Sequence, residues 1–180
     1  MPLYKAGIID YTWETKPSVA PLGQIICVTD IGENGSLCRG DGAKWIRLHQ
    51  VNLYNLATPV VLTGTTSETT MLTTSIPPSL MNKRGRANVI VLLSLTNNAN
   101  NKTVRVKIGG QTVVSTTSTN QSVLGFSGWL LNLNSETSQK NGSAVSFAID
   151  TTIANDFVIT GQLANAGDTI TLTAVSLEVI

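Results

Sequence analysis

The chain reads as an all-β protein, a small N-terminal β-meander followed by a jelly-roll-like β-sandwich, and three observations predict it. The polar surface is made by Thr, Ser and Asn rather than by charge, since 13% of the 180 residues are charged and 42% are hydrophobic, against roughly 25% charged in an average soluble domain. Thr is β-branched and suits the half-exposed surface of a pleated sheet. Short runs of period-two or continuous aliphatic character recur after residue 55, and turn residues punctuate them. No segment carries a helical apolar stripe longer than about two turns.

Two regions follow, a module over residues 1–54 and a sandwich over 55–180. In the first, strands are expected over 24–29, 36–39 and 44–48, with turns between them rich in Gly and Asp. Asp41-Gly42 between two strands is a strong hairpin signal, because Gly accepts the positive φ of a tight turn. Arg39-Gly40-Asp41 is also the tripeptide that cell-adhesion ligands present to integrins; its place at a strand end reads as architecture. Cys27 and Cys38 fall opposite each other if the first hairpin is centred on Gly32-Glu33. A bridge is sterically conceivable there, but a reducing cytoplasm favours thiols packed as small hydrophobes.

In the second region strands are expected over 60–63, 69–76, 87–96, 103–108, 112–116, 125–133, 144–150, 157–161 and 169–179. The turns between them include Pro77-Pro78, Gly109-Gly110, Asn141-Gly142-Ser143 and Asn165-Ala166-Gly167-Asp168. Strands of this number and spacing suggest a sandwich, and a jelly roll covers their edges economically. In the last strand Ile170, Leu172 and Ala174 share a face, and a bulge near Ala174-Val175 restores the register for Val175, Leu177 and Val179. Trp129, within an apolar run, is expected in the core; exposed, it could stack on a sugar.

The chemistry is sparse. A formal net charge of +1 gives no long-range field to gather nucleic acid or an anionic membrane, and the longest apolar run, 87–95, is too short to span a bilayer. The N-terminal stretch is interrupted by Asp10, Glu14 and Lys16 and has no continuous apolar run of the secretory kind, so a soluble protein made in a cytoplasm is expected. The single histidine, His49, has no nucleophile-elbow motif to serve. Glu136, Asp150, Asp156 and Asp168 could supply a carboxylate pair, yet nothing in their spacing brings two together. Residues 30–41 imitate a calcium loop but place Gly32 where a ligand is needed. No enzyme, cofactor or metal is expected. The one dense positive patch, Lys83-Arg84-Gly85-Arg86, reads as a solvated loop or a protein contact.

The pattern Ile26-Cys27-Val28-Thr29-Asp30-Ile31-Gly32, then Gly35-Ser36-Leu37, then Gly42-Ala43-Lys44-Trp45 resembles a short module of tailed-bacteriophage structural proteins. The stretch 129–139, from Trp129 through Asn132 and Glu136 to Gln139, looks like part of the β-sandwich domains of phage head-decoration and tail-fibre proteins. The resemblance implies a non-enzymatic virion component assembled in the host bacterial cytoplasm. A capsid decoration or cement protein is the expectation. It would sit on the capsid surface, bind the major capsid protein or other virion subunits, and form a trimer or dimer; neither nucleic acid nor membrane is an expected partner. Residues 1–54 would dock on the particle through Tyr4, Tyr11 and Trp13, with Lys83, Arg84 and Arg86 as further contact residues. The alternative is a tail-fibre or receptor-binding protein that recognises a bacterial surface glycan.

Overall fold

The structure is a computed structural model. It describes residues 51–180 throughout and, ahead of them, residues 9–11, 16, 18, 25–28, 36–40 and 45–47, with side chains up to residue 52 described only at 16, 18 and 38. The chain divides into two compact units, Met1–Leu53 with Ile180, and Tyr54–Val179.

The first unit holds one four-stranded sheet of β1 (Ile9–Tyr11), β2 (Ile25–Val28), β3 (Ser36–Gly40) and β4 (Trp45–Arg47), in that order. β2, β3 and β4 form the expected antiparallel meander, and β1 adds to it in parallel. The register corrects the cysteine pairing. Cys27 lies opposite Leu37 and Cys38 opposite Ile26, one residue away from the register that would face the two cysteines across the ladder. Cys38 is a buried thiol outside any disulfide. Arg39 and Gly40 are ladder residues of β3, opposite Ile46 and Trp45.

The second unit is the sandwich. Its strands are β5 (Val51–Asn55), which leads in from the first unit, β6 (Val60–Leu62), β7 (Thr69–Ile76), β8 (Arg86–Leu95), β9 (Lys102–Ile108), β10 (Gln111–Ser118), β11 (Val123–Asn132), β12 (Gln139–Asn141), β13 (Ser146–Phe147), β14 (Asn155–Leu163) and β15 (Ile170–Val179). One sheet has the order β13-β12-β11-β8-β15-β5, with β6 also on β15; the other has the order β10-β9-β14-β7. Leaving out β5, β12 and β13, the chain alternates between sheets except at the β9–β10 hairpin, so that its first strand pairs with its last, and its second with its penultimate. That is the strand order of a jelly roll.

Each strand forms for the reason its alternation gives. β8 and β9 bury every second residue, Ala87, Val89, Val91, Leu93 and Leu95 on the one and Val104, Val106 and Ile108 on the other. These meet Phe157, Ile159, Leu172 and Leu177 in the core between the sheets. Full burial of such a side chain contributes about 1.5–3 kcal/mol. Gly109 and Gly110 both have positive φ, 55° and 76°, which is what the two-residue turn from β9 to β10 needs. In β15 the bulge falls between Leu172 and Ala174, at Thr173, slightly earlier than expected, and Ala174 is only half-buried. The Thr173 hydroxyl donates to Leu92 O at 2.9 Å, so the extra residue is held to the neighbouring strand.

Two segments depart from expectation. Over residues 144–150 the sequence predicts a strand, but only Ser146–Phe147 is one. The partner of β11 is instead β12, a polar strand. Gln139 is fully buried; its Nε2 donates to Ile149 O and its Oε1 accepts from Ile149 N, both at 2.9 Å. The side-chain amide thus closes a ladder step that the backbone leaves open.

Candidate binding site

Trp129 is not in the core. It is 38% exposed, because β11 turns Leu130 and Asn132 inward and Val123, Gly125, Ser127 and Trp129 outward. The indole lies over Gly142, where an added Cβ would stand 3.4 Å from Nε1 and 3.5 Å from Cε2. Gly142 is placed by its neighbour Asn141. That buried side chain donates from Nδ2 to Val113 O at 2.7 Å and accepts at Oδ1 from Ser143 N and Val145 N at 3.1 and 3.0 Å. One amide therefore ties the turn after β12 to β10 and shapes the seat of the indole.

The other wall of the site is β10. At Gly128 the strands come so close that an added Cβ would collide with Val114 Cγ2, and this approach brings Thr112 and Ser115 beside the Trp129 turn. Between them is a cleft of about 240 Å³, walled by Val113, Val114, Val145 and Phe147 besides the indole and carrying the hydroxyls of Thr112, Ser115, Ser127 and Ser143. No lining residue is charged. Drug-sized ligands occupy roughly 300–1,000 Å³, so the cleft suits a single ring.

The positive patch lies on the same sheet. Lys83, Arg84 and Arg86 are exposed. The loop that carries them is fixed through Gly85, whose N–H donates to Asn82 O at 2.8 Å and whose carbonyl accepts from Asn132 N at 2.9 Å. Arg84 Nε donates to Asn134 Oδ1 at 3.4 Å. Arg86 is opposite Leu131, which on its other side is opposite Lys140. Lys140 is the residue that sequence reasoning missed, since only the pairing with β12 brings it to this row. Tyr4 and Trp13 lie outside the described residues, as do His49 and the loop residues Asp30 and Asp41; Tyr11 ends β1, and its side chain is not described.

Two of the four candidate carboxylates, Asp168 and Asp150, are engaged in structure. Asp168, buried with Lys102, accepts from Asn98 Nδ2 at 2.6 Å and Asn100 Nδ2 at 3.0 Å, with Lys102 Nζ at 3.7 Å. The Asn98 amide above all, then Asn100 and the Lys102 ammonium, holds its carboxyl below the ordinary 3.8. Lys102, 1% exposed, also donates to Asn98 Oδ1 and Asn100 O. Asp150 accepts from the hydroxyl and N–H of Thr152, which lower its pKa. Among the described residues no group of three or more His, Cys, Asp or Glu converges as a metal site would require.

The two outward faces differ. On β11, β8 and β15, Val123, Ile90 and Leu92 are joined by Val61 of β6, each between 44% and 67% exposed. The residues opposite Leu92 are Gly125 and Ala174, and those opposite Ile90 are Ser127 and Ser176. On β9 and β14 the residues that face away from the core are Thr103, Arg105, Lys107, Val158, Gln162 and Thr160, the last covered by Glu68.

No family model matches the chain, and no curated protein does. Among solved structures the chain is similar to a carbohydrate-binding module of family CBM36 in complex with calcium and xylotriose, at 14% identity and a TM-score of 0.40, covering 72% of this chain and 99% of that one. It is similar to the CBM36-1 domain of a multidomain xylanase from the hindgut metagenome of Trinervitermes trinervoides, at 14% identity and a TM-score of 0.38, covering 65% and 74%. It is also similar to a chain of infectious bursal disease virus, Gt strain, at 12% identity and a TM-score of 0.29, covering 92% and 45%.

Proposed function

We propose that the chain is a non-enzymatic bacteriophage structural protein that decorates and stabilises a capsid. In this reading residues 1–54 dock on the shell, with Tyr4, Tyr11 and Trp13 as anchors, and the sandwich packs against the major capsid protein or a further copy of the chain in a dimer or trimer. The observation that supports it is the outward face around Ile90 and Leu92. Its large side chains are apolar, its small ones are Gly, Ser and Ala, and covering it desolvates few ions. Interfaces are likewise depleted of charge at their centres, and exposed apolar patches on soluble proteins mark contact sites.

The test is to locate the protein on purified virions with a label and to add recombinant protein to shells that lack it. Labelling over the head, with binding lost on Ile90→Asp and Leu92→Asp, is the expected result. Label confined to the tail tip overturns the decoration reading in favour of a tail-fibre role. Light scattering of the free protein measures the oligomer.

A further inference from the structure

Seven cations lie in the sandwich with their surroundings described: Lys83, Arg84, Arg86, Lys102, Arg105, Lys107 and Lys140. Three are in ion pairs, Lys102 with Asp168 and Arg105 and Lys107 with Glu68. The other four take part in no salt bridge among the described residues, and all four are exposed at one end of the sheet, on β8, β12 and the loop before β8. Lys140, Leu131 and Arg86 form one row across β12, β11 and β8; Trp129 and Asn88 form the next row, two residues further along. Two residues of strand span about 7 Å. The acids nearest in sequence and register are Glu178, opposite Asn88, and Glu136 in the turn after β11; neither pairs with these cations. An uncharged cleft with an exposed indole thus adjoins a cluster of uncompensated positive charge.

From these two features together we propose that this end of the sandwich binds an acidic polysaccharide. One pyranose ring stacks its C–H face on Trp129 and hydrogen-bonds the hydroxyls of Thr112, Ser115, Ser127 and Ser143, none of which is taken by another group among the described residues. The carboxylate of the adjoining sugar unit meets Arg86 and Lys140. An indole presents an apolar, electron-rich face to aliphatic C–H groups, and the volume of the cleft admits one ring. Single-stranded nucleic acid shares the appetite for cations and aromatics, but it is gripped by successive exposed aromatic platforms, and beside the exposed Trp129 the cleft has the half-buried Phe147 alone. The inference goes beyond the adhesive role, uses different residues from Ile90 and Leu92, and stands or falls separately from it.

The experiment is a titration of the full chain with a tetrasaccharide of galacturonate, with the neutral tetrasaccharide of xylose, and with a short oligothymidylate, read by calorimetry and by tryptophan fluorescence. The galacturonate is expected to bind at least about tenfold more tightly than the neutral sugar, and its affinity to fall with salt. Trp129→Ala should weaken both sugars about tenfold or more and remove the fluorescence change. Arg86→Gln with Lys140→Gln should bring galacturonate down to the level of the neutral sugar. Both variants alter exposed side chains, and their melting curves check that they remain folded. Absence of galacturonate binding at millimolar concentration, unchanged binding by Trp129→Ala, or tighter binding of oligothymidylate overturns the proposal.

Discussion

Thr103, Arg105, Lys107, Thr160 and Gln162 look out from one sheet of the sandwich, while Ile90, Leu92, Ser127 and Ala174 look out from the other. Both sheets bury the same kind of aliphatic residue on their inner sides, so the core does not decide the difference. On the polar sheet Glu68 gathers its neighbours: Oε1 receives Lys107 Nζ and the Thr160 hydroxyl at 2.6 Å each, and Oε2 receives Arg105 at 3.1 Å. On the apolar sheet the large side chains have nothing of the kind to meet, and small residues stand opposite them. The comparison teaches that the low charge of the chain is an average. One face spends its ions on itself, and the other leaves its charge to one corner.

The largest expected effect concerns what the two faces share. Phe157 is fully buried beneath both sheets, and Phe157→Ala should cost about 3–5 kcal/mol in denaturant unfolding. A loss of this size in a single transition means that the faces belong to one cooperative unit; separate transitions would break the comparison into two independent layers. Next is Gly128→Ala, where the new methyl would press on Val114 and overpacking of this kind costs about 1–3 kcal/mol. If that variant keeps full stability, β10 and β11 do not approach as described, and the cleft loses its second wall.

Smaller again is the change on the polar face. Glu68 has its pKa lowered from 4.5, chiefly by the hydrogen bond from Lys107, then by Thr160 and Arg105. A lowered carboxylate stabilises the fold fully above its unfolded value and loses that contribution as pH falls through the folded one. Unfolding free energy measured from pH 6 to pH 3 should therefore drop below about 4.5, and Glu68→Gln should flatten that drop. At neutral pH the same variant should cost no more than about 1 kcal/mol, since the group is a third exposed and screened by water. The smallest effect belongs to the apolar face. Ile90→Ser with Leu92→Ser should change stability by no more than about 0.5 kcal/mol while abolishing attachment to shells. A large loss of stability instead would show that this face is already covered within the chain.

Much of this contrast was legible in the sequence and some was not. The Thr-rich run 69–76, closed by Pro77-Pro78, gives the strand Thr69–Ile76 its expected bounds although Met71 and Leu72 are both buried, and Gly109-Gly110 announced its turn because Gly takes consecutive positive φ values without strain. Gln139 and Asn141 gave no hydrophobic signal, since they are buried by satisfying backbone groups rather than by leaving water. Trp129 misled because the run 125–133 is mostly apolar, with Ser127 and Asn132 its polar residues. The decisive cue was the company it keeps in phase, Gly125 and Ser127, which are the outward residues of a strand whose inward ones are Phe126, Gly128 and Leu130. Lys140 could be joined to Arg86 only once β12 was known to lie beside β11.

Lys102 carries a consequence of its own. Its ammonium sits where Asn98, Asn100 and Asp168 turn their oxygens toward one point, clasping the loop after β8 to the loop before β15. A positive charge fastened to the backbone cannot be diluted away, exchanged or stripped by a chelator. This end of the sandwich should therefore stay latched in media of any hardness, and acid strong enough to protonate Asp168 is the key that opens it.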